Sequence, residues 1–294
     1  MTDITAPPPT GMLVAQPGRS GELSAWRLLL RRPSFLVGAA ILLFWLVCAV
    51  FGNAIAPHDP LAQQLLATNQ PPSAAHWFGT DQLGRDVFSR VLAGARVIIV
   101  ISVTATVIGT VLGTLIGLIM GYLGGVADIV LGRLVEAVLA LPLVVVAFLF
   151  LTALGGSAVV EIFVVGFVFT PIIARTVRSA VLVESQLDYL SSARLIGERS
   201  PRIMIVEILP NVVPTILVEF TVRLGFAIFT VAVLAFLGFG VSPQTPNWGS
   251  DIYANYGVLG AGYWWMTLFP VLAIASLVVA VNLITDSVEQ VLSS

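Results

Sequence analysis

Few residues in this chain have the side chains that enzyme chemistry needs. All 14 basic residues among the 294 are arginine, so the chain lacks a Schiff-base lysine, a Ser-x-x-Lys nucleophile and the lysine of a phosphate-binding P-loop. A single cysteine, Cys48, excludes an internal disulfide and a cysteine-rich metal site. His58 and His76 are the only histidines, and we predict no catalytic, cofactor or metal site. We therefore expect that the protein is not an enzyme.

Three charged residues fall inside long apolar segments. Glu219 and Arg223 are four positions apart, which places them on one face of a helix. Because each charge alone would cost about 3 kcal/mol in a bilayer, we expect them to pair and to face protein or water. The pair would either line a polar route through the protein or neutralise a contact between subunits. Glu161 lies near the outer end of its segment, where we expect water to reach it, and it is a further candidate for a pathway or intersubunit residue.

The composition indicates a membrane protein. Hydrophobic residues make up 57% of the chain and charged residues 10%, whereas a soluble domain carries about 25% charged side chains. High hydrophobicity with little charge also excludes a disordered chain. The formal net charge of −2 gives no basic field, so nucleic acid is not an expected partner and the lipid bilayer is.

Membrane-spanning helices are the elements that must position these residues. A bilayer core of about 30 Å needs roughly 20 apolar residues in a helix. Six segments are suitable, namely 35–54, 97–121, 130–153, 158–175, 212–240 and 267–285. Strands of a membrane barrel would alternate apolar and polar residues over about ten positions, and that pattern is absent. The predicted fold class is an all-α membrane protein with six transmembrane helices.

Arginine distribution predicts the orientation. With the N-terminus inside, ten arginines lie in inner segments, and only Arg85, Arg90 and Arg96 lie in outer loops. This asymmetry places both termini in the cytoplasm and residues 1–30 in a cytoplasmic tail. Arg31-Arg32 before the first span also imitates a twin-arginine signal. N-terminal sequencing of the mature protein from near Pro57 would establish that alternative.

The second span carries a regular series of glycines. Residues four apart stack along one helix face, so the series forms a groove in which another backbone can approach closely. The glycines are Gly109, Gly113, Gly117 and Gly121, followed by Gly125. The groove would hold either a helix pair that slides during a conformational cycle or a static, tightly packed pair.

The largest inner loop has the pattern of two short helices. Ser185 to Asp188 fits a capping box, and Gly197 can end the first helix in a left-handed conformation. Ser200-Pro201 then starts a second helix. Such an element would fit a groove on another protein, or it would rest on lipid headgroups.

This loop resembles the "EAA" loop of binding-protein-dependent ABC importer permeases. The similar stretch is Asp188-Tyr189-Leu190-Ser191-Ser192-Ala193-Arg194-Leu195-Ile196-Gly197, followed by Ile208-Leu209-Pro210-Asn211. Three more blocks resemble the second permease subunit of the dipeptide/oligopeptide/nickel branch: His76 to Val87, Phe236 to Gly240 with Pro246 to Ser250, and Trp264-Trp265 with Phe269-Pro270. Ser191 replaces the loop's usual glutamate, and Val231 stands where many relatives have an intramembrane glutamate.

The resemblance implies a type I ABC importer transmembrane domain. Residues 31–96 would hold the first transmembrane helix and an extracytoplasmic loop, and residues 97–290 a five-helix core with a coupling loop at 184–204. The implied ATPase-coupling residues are Asp188, Tyr189, Ser191, Ser192, Ala193, Arg194 and Gly197. Implied partners are a homologous permease subunit, two ATPase subunits that carry ATP and Mg, and an extracytoplasmic solute-binding protein. The implied cargo is a dipeptide or oligopeptide, with a nickel or metal chelate as the alternative.

Two further classes of membrane protein are alternatives to an ABC importer permease. An ATP-independent secondary transporter would tend to show an inverted repeat and a midplane ion site, and only Glu219 and Arg223 could serve as that site. An intramembrane hydrolase is not supported, because this sequence has no Gly-x-Ser-x-Gly elbow and no lysine that could act as a base. In the outer loop, Asp81, Arg85 and Asp86 would either meet the binding protein or satisfy one another.

Overall fold

A computed structural model describes residues 29–239 and 244–292. The predicted tail at 1–30 therefore lies almost wholly outside the described residues, as does Gly240. The helices are α1 (Pro33–Ile55), α2 (Val87–Leu123), α3 (Gly125–Leu139), α4 (Leu143–Leu154), α5 (Ala158–Glu184), α6 (Asp188–Leu195), α7 (Leu209–Phe236), α8 (Trp248–Asn255) and α9 (Trp265–Leu292). Short 3₁₀ turns occupy Leu65–Ala67 and Tyr256–Ala261. Across the described ranges, the only extended pairing is an isolated bridge between Thr80 and Asp86.

Five helices are long and apolar enough to span a membrane: α1, α2, α5, the continuous helical segment Ser200–Phe236 that ends in α7, and α9. The predicted third span, 130–153, is instead two helices, α3 and α4, bent by 87° at a short break. Pro142 causes the break because it has no N–H and disfavours helical backbone at Leu141. Counted as one broken span, this pair brings the total to six.

The fifth span begins much earlier than the predicted residue 212. Helical structure starts at Ser200 and passes through a π-helical turn, Ile203–Ile208, before α7. The Leu209 N–H donates to the Met204 carbonyl five residues back. Pro210 follows at once and has no N–H to donate, so the usual hydrogen-bond pattern is interrupted there. The inner loop is therefore shorter than expected.

The glycine groove of α2 packs against α5. A Cβ added at Gly113 would lie 2.7 Å from the Ile173 Cβ, and one added at Gly117 would lie 2.7 Å from the Ala174 carbonyl oxygen. The contact is mutual, since a Cβ on Gly166 would lie 2.9 Å from the Ala105 oxygen. Contacts within 3.0 Å leave no room for a side chain, so the two backbones touch along about three helical turns. The sequence predicted the groove but not this partner.

The central helix α2 also packs against α1 and α7, and α9 packs against α1 and α7. Buried side chains from these helices form one large hydrophobic cluster. Large apolar side chains remain exposed along α1, α3 and α4, including Val50, Ile129 and Leu149. An all-helical chain with this exposed apolar surface suits a bilayer rather than water.

Candidate functional site

The short helix α6 is the longest helix that lies wholly within the predicted coupling loop. Asp188 supplies negative charge in its first turn and Arg194 positive charge in its last, and both favour the helix dipole. Gly197 ends the turn with φ +80°, where the N–H of Glu198 donates to the Ala193 carbonyl. The predicted capping box is wrong: Ser185 closes α5 instead, and its buried hydroxyl has no hydrogen-bond partner.

One face of α6 is buried and the other is exposed. Leu190 and Ala193 are buried against the bundle, whereas Leu195 is 88% and Ile196 77% exposed. The remaining predicted coupling residues, Asp188, Tyr189, Ser191, Ser192, Arg194 and Gly197, are all on the exposed side. Leu190 and Ala193 therefore pack α6 against the protein, whereas Leu195 and Ile196 form an exposed apolar tip at its end.

Tyr189 connects α6 to the spans on either side of it. Its hydroxyl donates to Glu184 Oε1 at 2.5 Å and accepts from Asn211 Nδ2 at 2.9 Å. Burial, with the Glu184 carboxylate as acceptor, raises the pKa of Tyr189 to about 12. The Arg194 guanidinium also lies 5.0 Å from the ring centre of Tyr122 at the end of α2. The α6 helix is thus fixed to the ends of α2, α5 and α7.

The two charges in α7 are paired. Arg223 Nε lies 2.6 Å from Glu219 Oε1, and both side chains are largely buried. The Arg223 guanidinium lies 5.4 Å from the Phe226 ring centre as well. This contact compensates both charges at depth, whichever role the pair has.

Glu161 is not reached by water, in contrast to the expectation from its position near the end of the span. Its side chain is fully buried, and neither carboxylate oxygen has a hydrogen-bond partner. Ser157, which caps α5 by accepting from the Val160 N–H, places Glu161 in the first helical turn. Packing of α5 against the bundle covers this turn, and sequence position alone did not indicate it.

At the opposite end of α2 from α6, residues 56–86 fold over the bundle, and we call this segment the outer cap. Asp81 and Arg85 satisfy each other, with Arg85 Nε 2.6 Å from Asp81 Oδ2. Asp86 does not join them. It caps α2 by accepting from Ser89, and its other oxygen lies 2.9 Å from His76 Nδ1. The prediction of one self-satisfying trio is therefore right for two of its residues.

Long-range contacts attach the outer cap and the start of α2 to α8 and α9. Arg90 forms a buried ion pair with Asp251 at 2.6 Å, and Trp265 Nε1 donates to the Thr80 carbonyl at 3.1 Å. Trp248 is fully buried, and its Nε1 donates to the Val91 carbonyl at 2.8 Å. From the sequence, Arg90 was expected to be a charge of the outer loop, and its pairing with Asp251 was not predicted. The only sign of the pair in the sequence was Asp251 itself, a carboxylate three residues after Trp248.

Two protein families match separate parts of this chain. Residues 113–294 match the family described as "Binding-protein-dependent transport system inner membrane component". Residues 23–72 match the "N-terminal TM domain of oligopeptide transport permease C".

Individual relatives match along nearly the whole chain. The dipeptide transport system permease protein DppC of Bacillus subtilis is 36% identical over 95% of this chain and 87% of its own length. The glutathione transport system permease protein GsiD of Shigella dysenteriae is 37% identical over 91% and 88%. The probable D,D-dipeptide transport system permease protein DdpC of Escherichia coli is 34% identical over 88% and 87%.

A solved structure shares the fold. A chain of the MetNI methionine ABC transporter, in an inward-facing conformation, superposes with a TM-score of 0.55 at 20% identity. The match covers 69% of this chain and 96% of that one. At this identity the likeness concerns the helical arrangement alone.

Proposed function

Because the chain belongs to the family of binding-protein-dependent transport system inner membrane components, we propose that it is the permease subunit of an ATP-driven peptide importer. The family is one of membrane permeases rather than enzymes. The peptide cargo is inferred from relatives that carry the names of dipeptide, D,D-dipeptide and glutathione permeases. The chain contains no lysine and so has no P-loop lysine of its own. Two partner ATPase subunits would supply the hydrolysis of ATP.

The observation that carries the proposal is the exposed tip of α6. Leu195 and Ile196 project apolar side chains from a helix whose other face is buried. A short helix of this kind fits a hydrophobic groove on a partner protein. The Tyr189 contacts with Glu184 and Asn211 would transmit a displacement of α6 to α5 and α7 rather than absorb it.

Alternating access follows from this arrangement of rigid contacts. Closure of an ATPase dimer around α6 would rotate the inner ends of α5 and α7. Because α5 packs on α2 through the glycine groove, α2 would move with it. The exposed side of α3 and α4 would meet a homologous permease subunit, and the pathway would lie between the two. ATP has to interact differently with the two conformations for such a cycle to run.

The proposed orientation follows from α2, which runs from the outer cap to α6. If α6 meets cytoplasmic ATPases, the outer cap faces the extracytoplasmic side, and both termini lie in the cytoplasm. The arginine distribution supports the same orientation. The outer cap would then receive the solute-binding protein that delivers the peptide.

Site-directed crosslinking tests this proposal. Leu195→Cys should form an adduct with a co-expressed ATPase subunit, and its yield should change between nucleotide-free and ATP-bound states. Leu66→Cys is a matched control, since Leu66 is fully exposed on the outer cap and should give no adduct. The proposal fails if Leu195→Cys never reacts, or if the purified chain alone moves peptide into liposomes on an ion gradient without ATP.

A further inference from the structure

Three potential metal ligands converge on the outer cap. One ring nitrogen each of His58 and His76 and a carboxylate oxygen of Asp86 all lie within 4.8 Å of one another. His76 Nδ1 is 2.9 Å from Asp86 Oδ1, and His58 Nδ1 is 3.8 Å from the same oxygen. We propose that these three residues bind a divalent transition-metal ion such as Zn²⁺, although the sequence alone predicted no metal site.

The two oxygens of Asp86 have separate roles. Oδ2 accepts from the Ser89 N–H at 2.8 Å and from the Ser89 hydroxyl at 2.7 Å, which caps α2. Oδ1 faces only the two imidazoles. The helix cap therefore holds the carboxylate in place while it leaves one oxygen for a ligand.

An unused donor atom supports the site independently. His58 Nδ1 is buried and has no hydrogen-bond partner, although the side chain as a whole is 37% exposed. Buried nitrogen without a partner is destabilising unless something binds it. The imidazole rings of His58 and His76 lie with their centres 4.7 Å apart, and the Nδ1 atom of each lies within 3.8 Å of the same Asp86 oxygen.

The local charges favour a cation. Arg85 is held by Asp81, and Arg90 is held by Asp251. Among the ion pairs of residues 29–239 and 244–292, Asp86 has no arginine partner and is paired only with the two histidines. A cation between them would meet one carboxylate and two neutral imidazoles, a ligand set that zinc accepts.

The geometry needs only a small adjustment. Ligand atoms about 2.0–2.2 Å from a tetrahedral ion are roughly 3.3–3.6 Å apart, so the 2.9 Å between His76 Nδ1 and Asp86 Oδ1 would widen slightly. His58 would move closer by rotation of its partly exposed side chain. His76 Nδ1 would have to give up any proton that it carries, either to Nε2 of the same ring or to water. Three protein ligands leave the fourth position for a water molecule. The bound ion would fasten the segment after α1 to the first turn of α2.

Metal binding can be measured on the full-length chain, purified in detergent without a polyhistidine tag and stripped with a chelator. Co²⁺ serves as the probe because tetrahedral Co²⁺ absorbs strongly in the visible region. We expect one Co²⁺ per chain, displaced by Zn²⁺. His58→Gln should weaken binding by at least about tenfold, since it leaves the Asp86 cap and the His76 contact intact. Asp59→Asn, the neighbouring control, should bind as the unchanged protein does.

Two results would overturn the proposal: the absence of a stoichiometric Co²⁺ spectrum, or equal affinity in the unchanged protein and His58→Gln. X-ray absorption of the Zn²⁺-loaded unchanged protein gives a test that needs no variant. Two imidazole ligands at about 2.0–2.1 Å are expected, and a shell with fewer than two would exclude the site. None of these measurements depends on transport, so their failure would leave the proposed function untouched.

Discussion

Arg90, in the first turn of α2, and Asp251, on α8, form a buried ion pair across 161 residues of sequence. Arg90 Nε and Nη2 lie 3.0 and 2.6 Å from the same oxygen, Asp251 Oδ1. The third nitrogen, Nη1, donates to the Pro60 carbonyl at 3.1 Å. One guanidinium thus joins the start of α2, the outer cap and α8, and it fixes the outer cap on the bundle.

Removal of this guanidinium should destabilise the protein strongly. Arg90→Met leaves the Asp251 carboxylate buried without its partner, which costs about 3–5 kcal/mol for a pair of this kind. We expect a large decrease in the thermal unfolding midpoint in detergent. The control is Arg133→Met, whose ion pair with Glu136 is mostly exposed and should contribute at most about 1 kcal/mol. Equal effects of the two changes would refute the structural role of Arg90.

Alanine substitutions at Gly113, in the glycine groove, and at Gly132, outside it, should have opposite effects on stability. Gly113→Ala would place a Cβ 2.7 Å from Ile173 and 2.8 Å from the Thr170 carbonyl oxygen, and such overpacking costs about 1–3 kcal/mol. Gly132→Ala, on α3, meets nothing closer than 3.7 Å and should stabilise by about 0.4–1 kcal/mol. Unfolding midpoints of both variants measure the difference. If Gly113→Ala is neutral, α2 and α5 do not touch as described.

The Glu219–Arg223 pair has two candidate roles that a double change separates. Arg223→Met alone should reduce assembly, because it leaves a largely buried carboxylate uncompensated at a cost of about 3–5 kcal/mol. Adding Glu219→Gln should restore assembly. If the pair neutralises a subunit contact, transport returns with assembly; if it lines the pathway, transport stays low. Arg223→Met with normal assembly and transport would exclude both roles.

Tyr189 should couple α6 to transport through its hydroxyl. Tyr189→Phe removes the hydrogen bonds to Glu184 and Asn211, a loss of about 1.5–3 kcal/mol where a charged group is involved. We expect ATP hydrolysis by the assembled complex to continue while peptide transport falls. Ser179→Ala is the control, since that exposed hydroxyl donates to the Arg175 carbonyl of its own helix α5 and lies outside α6. Equal transport in the two variants would contradict the coupling role.

The raised pKa of Tyr189 gives a pH dependence of defined sign. A folded pKa of about 12 lies above the ordinary value of 10.0. The stabilisation is therefore fully present below about pH 10 and is lost as the pH rises through about 12. Ultraviolet titration should show one phenol fewer ionising near pH 12 in Tyr189→Phe than in the unchanged protein. If the missing phenol ionises near pH 10 instead, Glu184 does not act on Tyr189.

Features that depend on neighbouring residues in the chain were predictable. The apolar segments indicated membrane helices, Gly197 indicated the end of α6, and the four-residue glycine spacing indicated a close helix contact. Four separated sequence blocks indicated the permease family. Each of these signals arises from hydropathy, helical period or backbone conformation, and those properties act over a few residues.

Only the tertiary structure decided which distant residues meet. It selected α5 as the partner of the glycine groove, paired Arg90 with Asp251, and brought His58 to His76 and Asp86. It also buried Glu161 and turned Ala193 inward. The physical reason is that side-chain pairing depends on the packing of whole helices, and many packings are compatible with the same apolar faces. Local sequence determined the helices and their ends, while long-range packing determined the contacts between them.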